Sequence, residues 1–180
     1  MAKVVSTWSA AEGAGGGLVP VRVHVLLAQG EPGISTARPL RNFSAARVAW
    51  ALEAVGAGLS GRLVADMSPG DAYHDMEGSH LAVAAAAMAL CGRLDEGLLD
   101  KSMFTGDLLV NGEARQTFAW REVCAAAERV GAEPVLATSL SDLPRALGAD
   151  RAPAAREAFE RSLSAARGSA GAPSPRARGM

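Results

Sequence analysis

The sequence predicts an α+β protein, a two-layer α/β sandwich in which helices pack on a mixed sheet. Three observations carry this. Val19, Val21, Val23 and Val25 alternate with Pro20, Arg22 and His24, the period of two expected of a strand with one buried face. His80 to Gly92 is an alanine-rich run with Leu81, Val83, Met88 and Leu90 spread round it, so the helix is apolar on nearly every side and must be buried. Asn111-Gly112 separates two short stretches, and such a dipeptide supplies the positive φ angles of a two-residue hairpin turn. Strands and helices follow in an order that mixes hairpins with crossovers, which favours helices laid on a sheet.

Taken in order, Ala2 to Thr7 reads as a short strand and Ser9 to Gly17 as a loop, because Gly15, Gly16 and Gly17 stop regular structure. Leu18 to Leu27 is the second strand, Gly30 to Gly33 a turn, and Ile34 to Ala37 a further short strand before Pro39. Asn42 is the expected N-cap of a helix from Phe43 to about Ala57. In it Val48, Leu52 and Val55 recur at helical spacing beside Trp50, and Gly56 and Gly58 close it. Arg62 to Met67 is a strand ended by Pro69-Gly70. Met103 to Leu109 and Glu113 to Thr117 are the hairpin arms, and Phe118 to Val130 is the third helix, with Trp120, Val123, Cys124 and Ala127 on one side. Glu133 to Ala137 is a last strand and Ser141 to Leu147 a last helix. Residues 1–148 therefore form one domain. Residues 149–180 read as a tail, helical over 153–167 and then disordered, since its end is rich in Gly, Ala, Pro and Ser.

With 180 residues, 49% of them hydrophobic, the chain can bury one ordinary core and still carry a tail. A net charge of -1 gives no general attraction to nucleic acid or to anionic lipid. Cys91 and Cys124 fall in apolar helical patterns, where a thiol packs as a small core group, and two cysteines make no disulfide framework. The longest apolar run, Leu81 to Cys91, is far short of the roughly 20 residues that span a bilayer. A cytoplasmic protein with no membrane partner is expected.

The charged residues exclude some chemistry. A phosphate-binding loop needs G-x-x-x-x-G-K-[ST], but the Lys101-Ser102 pair has Asp95 and Asp100 where both glycines belong. No nucleotide and no other cofactor is expected. His74, Asp75, Glu77 and His80 are metal-ligating types in a spacing that matches no known signature, so no metal is expected and a solvated polar loop is the plainer reading. His24 sits on the outward register of its strand. Arg38, Arg41, Arg47 and Arg62, with Arg176 and Arg178 of the tail, are candidates for phosphate contact, although a near-zero net charge predicts modest affinity for DNA.

The successive segments A-K-V-V-S-T, V-R-V-H-V, G-E-P-G-I-S, R-V-A-W-A-L, A-D-M-S-P-G-D, C-G-R-L and F-T-G-D-L-L-V-N-G-E run in order between Ala2 and Leu147. In this they resemble the N-terminal domain of the magnesium-chelatase-like competence protein family. That domain is related to the proteolytic domain of Lon and to the C-terminal domain of a bacterial DNA-repair ATPase. The resemblance implies the ribosomal protein S5 domain 2-like fold and a place beside an ATPase that forms hexameric rings on DNA, an ATPase domain this sequence lacks.

A Lon-type protease needs a serine at the start of the alanine-rich helix and a desolvated lysine on the third helix to take its proton. Ser79 stands near the first position. The positions for the lysine read Arg121, Glu122 and Val123, and arginine stays protonated. His74 or His80, with Asp71, Asp75 or Glu77, is the remaining source of a base. The plainer role for Ser79 is to N-cap the helix that follows. The expectation is a non-catalytic Lon-like interaction or oligomerisation module with a protein partner, associated with a DNA-processing ATPase. The alternatives are a divergent serine peptidase using Ser79, and a nucleic-acid-binding domain using the arginines.

Overall fold

A computed structural model describes residues 3–69 and 74–148. The first strand, β1 (Lys3–Glu12), pairs antiparallel with β2 (Leu18–Ala28), with Lys3 opposite Leu27 and Glu12 opposite Leu18. It thus runs through Ser9 to Glu12, where a loop was expected. Ser9, Ala10 and Ala11 are weak strand formers, but each is fully buried, and the Ser9 hydroxyl donates to the Gly78 carbonyl at 3.3 Å. Packing outweighs their propensity, and the true turn is residues 13–17, closed by the Gly13 N–H on the Gly17 carbonyl at 2.9 Å.

Two more strands, β3 (Gly33–Thr36) and β4 (Arg62–Ser68), complete one side of the sheet, and β5 (Ser102–Phe104) and β8 (Glu133–Val135) the other. The order is β3-β4-β2-β1-β5-β8. Pairs β1/β2 and β2/β4 are antiparallel, while β3/β4, β1/β5 and β5/β8 are parallel. A mixed sheet with helices on it was expected and is what forms. It is compatible with a two-layer α/β sandwich.

Strand alternation sets the layers. Val5, Ala11, Val21, Val23 and Val25 face α1 (Ala45–Ala54) and α2 (His80–Leu90) in the main core, where every residue of α2 is buried. Trp8 and Ala10, of the opposite register, pack with Met103 and with Val123, Ala126 and Ala127 of α4 (Trp120–Arg129) in a second, smaller cluster.

Three local expectations are corrected. The cap of α1 is Ser44, whose Oγ accepts from Arg47 N at 3.3 Å; Asn42 instead takes a φ of 56° and donates from Nδ2 to Asp75 at 2.6 Å. The stretch Met103 to Leu109 is not one strand. It breaks at Gly106, φ 150°, so that β5 stays in the main sheet while β6 (Asp107–Leu108) pairs with β7 (Ala114–Arg115) as a separate hairpin. The hairpin loop is not the two-residue kind either. Gly112 N–H bonds to Leu109 O at 3.0 Å and Leu109 N–H to Glu113 O at 2.9 Å, with Gly112 at φ 88°, a turn followed by a bulge. A short helix, α3 (Glu96–Leu99), was not expected; Asp95 caps it by accepting from Gly97 N at 2.9 Å. The final helix, α5 (Leu143–Gly148), is entered through a single tight turn at Leu140–Asp142 capped by Ser139. The expected tail, 149–180 with its helix at 153–167, lies outside the described residues. No helix among the described residues is long and apolar enough to cross a membrane.

Candidate functional site at the start of helix α2

A tight turn at Glu77–Ser79 delivers the chain into α2 and sets Ser79 and His80 side by side in the interior. Ser79 holds the N-cap position but does not cap. Its φ of -96° and ψ of -3° are not the extended dihedrals from which a serine hydroxyl reaches the N–H groups of the first turn, and its side chain makes no such bond. One of those donors is met by the backbone at the break between β5 and β6, where Leu81 N–H bonds to Gly106 O at 3.1 Å; Gly106 N–H in turn donates to Gly78 O at 2.8 Å. Among the described residues the buried Ser79 Oγ has one hydrogen-bond partner, the thioether of Met76 at 4.0 Å.

His80 is fully buried, and both ring nitrogens are engaged. Nε2 accepts from the Ser44 N–H at 2.9 Å, while Nδ1 lies 2.7 Å from the Glu77 carbonyl and 3.3 Å from Asp107 Oδ1. An amide can only donate, so Nε2 is bare and the proton sits on Nδ1. The ring stacks on Phe43, centroids 4.6 Å apart and planes 11° from parallel. Burial pushes the imidazole pKa below its ordinary 6.5, against the opposing pull of the Glu77 carbonyl and the Asp107 carboxylate. His80 is therefore neutral at pH 7, and neither nitrogen serves the Ser79 hydroxyl.

Asp107 is the charged centre beneath this ring. Its carboxylate is 2% exposed and accepts from Arg47 Nη1 at 2.6 Å, from Arg115 Nη2 at 3.2 Å and from Leu108 N at 2.8 Å. Burial alone would raise its pKa, but hydrogen bonds from Arg47 and Arg115 hold it below the ordinary 3.8. Neither Asp107 nor Arg115 was singled out from the sequence. The available signal was an acid inside the apolar run F-T-G-D-L-L, with an arginine eight residues on across the hairpin.

Of the other expected residues, Asp71 lies outside the described ones and His74 makes a contact of its own. Asp75 accepts from Asn42 Nδ2 and, at 2.9 Å, from Glu77 N; Glu77 hydrogen-bonds His80 through its carbonyl, not its carboxylate. No group of three or more His, Cys, Asp or Glu side chains among the described residues could hold a metal ion. On α4, Arg121 and Glu122 are exposed and Val123 is buried in the second cluster. Arg38 pairs with Asp66 at 3.1 Å and donates to Met67 O at 2.6 Å, and Arg47 is committed to Asp107. Arg41 and Arg62 are exposed. Arg62 opens β4, about 13 Å along the strand from the Asp66 level where Arg38 is held, so these arginines make no single patch. His24, expected outside, is half-buried, with Nδ1 2.7 Å from Ser6 Oγ. Cys91 and Cys124 are free thiols, and burial pushes that of Cys124 up.

The arrangement binds three chain segments through one imidazole and one carboxylate, and among the described residues the Ser79 hydroxyl is bonded to sulfur rather than to a base. No protein-family model and no curated protein matches this chain.

Proposed function

We propose that the chain is a Lon-like domain of the ribosomal protein S5 domain 2-like fold that serves as a non-catalytic interaction or oligomerisation module, associated with a DNA-processing ATPase. One observation carries the non-catalytic part: the hydroxyl at the start of the alanine-rich helix faces a thioether at 4.0 Å, beside an imidazole whose two nitrogens are both taken. A serine nucleophile needs a base at about 2.6–3.2 Å, and a thioether accepts no proton at neutral pH.

The interaction part is supported by exposed apolar side chains on neighbouring elements. Trp50 on α1 and Val110 at the hairpin tip are each 56% exposed, and the tip rests on α1 through Gly112, which faces Val55 and the Ala51 carbonyl. Tryptophan is among the residues that most often dominate binding energy in protein contacts.

The test has two arms. Casein and peptide cleavage is measured for the wild type and Ser79→Ala, with no activity expected from either; activity abolished by the substitution refutes the proposal. Sedimentation velocity is then run across a concentration series, alone and with an added hexameric ATPase of the magnesium-chelatase-like family. Association is expected, weakened about tenfold by Trp50→Ala. A chain that stays monomeric and does not bind the ATPase also refutes it.

A further inference from the structure

The segment Arg41–Ser44, which leads into α1, is clipped across the start of α2 by three hydrogen bonds. Met76 N–H donates to the Arg41 carbonyl at 3.0 Å, Asn42 Nδ2 to Asp75 at 2.6 Å, and Ser44 N–H to His80 Nε2 at 2.9 Å. Beneath the strap lie fully buried Met76, Ser79 and His80. Two of the three bonds pair fixed amide donors with oxygen. The third ends on a nitrogen that titrates.

We propose that His80 is a proton-operated latch: uptake of a proton at Nε2 releases the Arg41–Ser44 strap from the start of α2 and opens that buried corner. The chemistry is forced by the donor count. Once Nε2 carries a hydrogen it faces the Ser44 N–H, two donors at a distance that only a donor and an acceptor can hold, so ring and strap must part. The stacked Phe43 precedes Ser44 in the chain and moves with it.

The groups around the ring set how much acid is needed. From β6, Asp107 favours the charged ring, and from the turn before α2 so do the Glu77 carbonyl and, more weakly, its carboxylate. From α1, Arg47 opposes it, and from β7 Arg115 shares the Asp107 charge. Burial opposes it most, so the latch is closed at neutral pH and opens only as the pH falls below the ring's ordinary midpoint. Because one proton drives the change, the open-to-closed ratio rises about tenfold per pH unit between the ring's ordinary midpoint and its lower midpoint in the closed state. Nothing in this device depends on the Lon-like reading.

The experiment uses the full-length wild-type chain. Nitrogen-15 NMR at pH 7.5 is expected to find the His80 proton on Nδ1. On lowering the pH, the Ser44 amide should lose exchange protection with the same midpoint as the ring titration. His80→Gln, whose side-chain oxygen can accept from Ser44 but does not titrate, should keep that amide protected through the same range. Should the Gln variant fail to fold, the wild-type titration alone decides. A proton on Nε2 at neutral pH, or a ring that charges while Ser44 stays protected, overturns the proposal.

Discussion

Asp107→Asn is the most searching test of the buried charged centre. The substitution keeps the side-chain volume but removes the charge and one acceptor. The carboxylate takes Arg47 at 2.6 Å and Arg115 at 3.2 Å, with side-chain exposures of 37% and 65% for the two arginines. A hydrogen bond to a charged group contributes about 1.5–3 kcal/mol, and the half-buried Arg47 falls in that range. The Arg115 contact is worth about 0.2–1 kcal/mol, because its guanidinium returns to water when released. The new amide also points a donor at Arg115 or at the His80 Nδ1–H. Together these predict a loss of about 2–4 kcal/mol. For the compact unit Met1–Ala149 that lowers Tm by roughly 4–16 °C. Urea unfolding followed by circular dichroism at pH 7 measures it. Asp100→Asn is the control, since Asp100 pairs with Arg22 while 65% exposed and should cost no more than about 1 kcal/mol. A loss equal to the control refutes the assignment of Asp107 as the charged centre of the fold. The pH dependence adds a sign. With its folded pKa below 3.8, the contribution of Asp107 is full above that value and disappears as pH falls through the lower folded value, so variant and wild type should converge in strong acid.

The remaining expectations are narrower. His80 has a depressed folded pKa, so stability should be full above pH 6.5 and fall as the pH drops through the folded value, by up to about 1.4 kcal/mol per pH unit; His80→Gln should flatten that part of the urea-midpoint profile. Gly112→Ala should lose about 1–3 kcal/mol in urea unfolding, because φ is 88° and the new Cβ would stand 2.7 Å from Val55 Cγ1; a loss below about 0.5 kcal/mol would contradict the packing of the hairpin on α1. Gly78→Ala should cost a similar amount, its Cβ meeting Phe118 at 2.5 Å and Thr117 at 3.1 Å, as read by thermal melting. On immobilised duplex DNA the chain should elute at low salt, since Arg38 and Arg47 already hold acidic partners; retention with a steep salt dependence, lost in Arg41→Ala/Arg62→Ala, would favour the nucleic-acid reading instead.

Much of the fold was legible because its strongest signals are periodic and local. Val21, Val23 and Val25 announced a one-sided strand, and the alanine-rich stretch from His80 announced a helix buried on all sides. Where the reading failed, a local preference was overruled from a distance. Ser9 to Glu12 became strand because the small side chains of Ser9, Ala10 and Ala11 fit a crowded interior, and the cap of α1 moved from Asn42 to Ser44, two residues on. The Asn-Gly signal correctly marked a hairpin but not its loop length, since the glycine alone takes positive φ.

The candidate site was legible only in part. Ser79 was found by its place before the alanine-rich helix, and Arg121, Glu122 and Val123 could be read directly as offering no lysine. That His80 turns away from Ser79 towards Ser44, Glu77 and Asp107 could not be read, because the partners come from positions 44, 77 and 107 of the chain. Sequence by itself determined the alternating strand β2, the buried α2 and the restriction of lysine to positions 3 and 101, for these follow from side-chain chemistry and spacing along the chain. Only the tertiary structure decided which nitrogen of His80 is bare, why Asp107 stays ionised inside the protein, and that Ser79 faces sulfur. Each of those is a property of groups brought together from distant segments, and their burial and hydrogen-bond geometry exist only once the sheet and its helices have assembled.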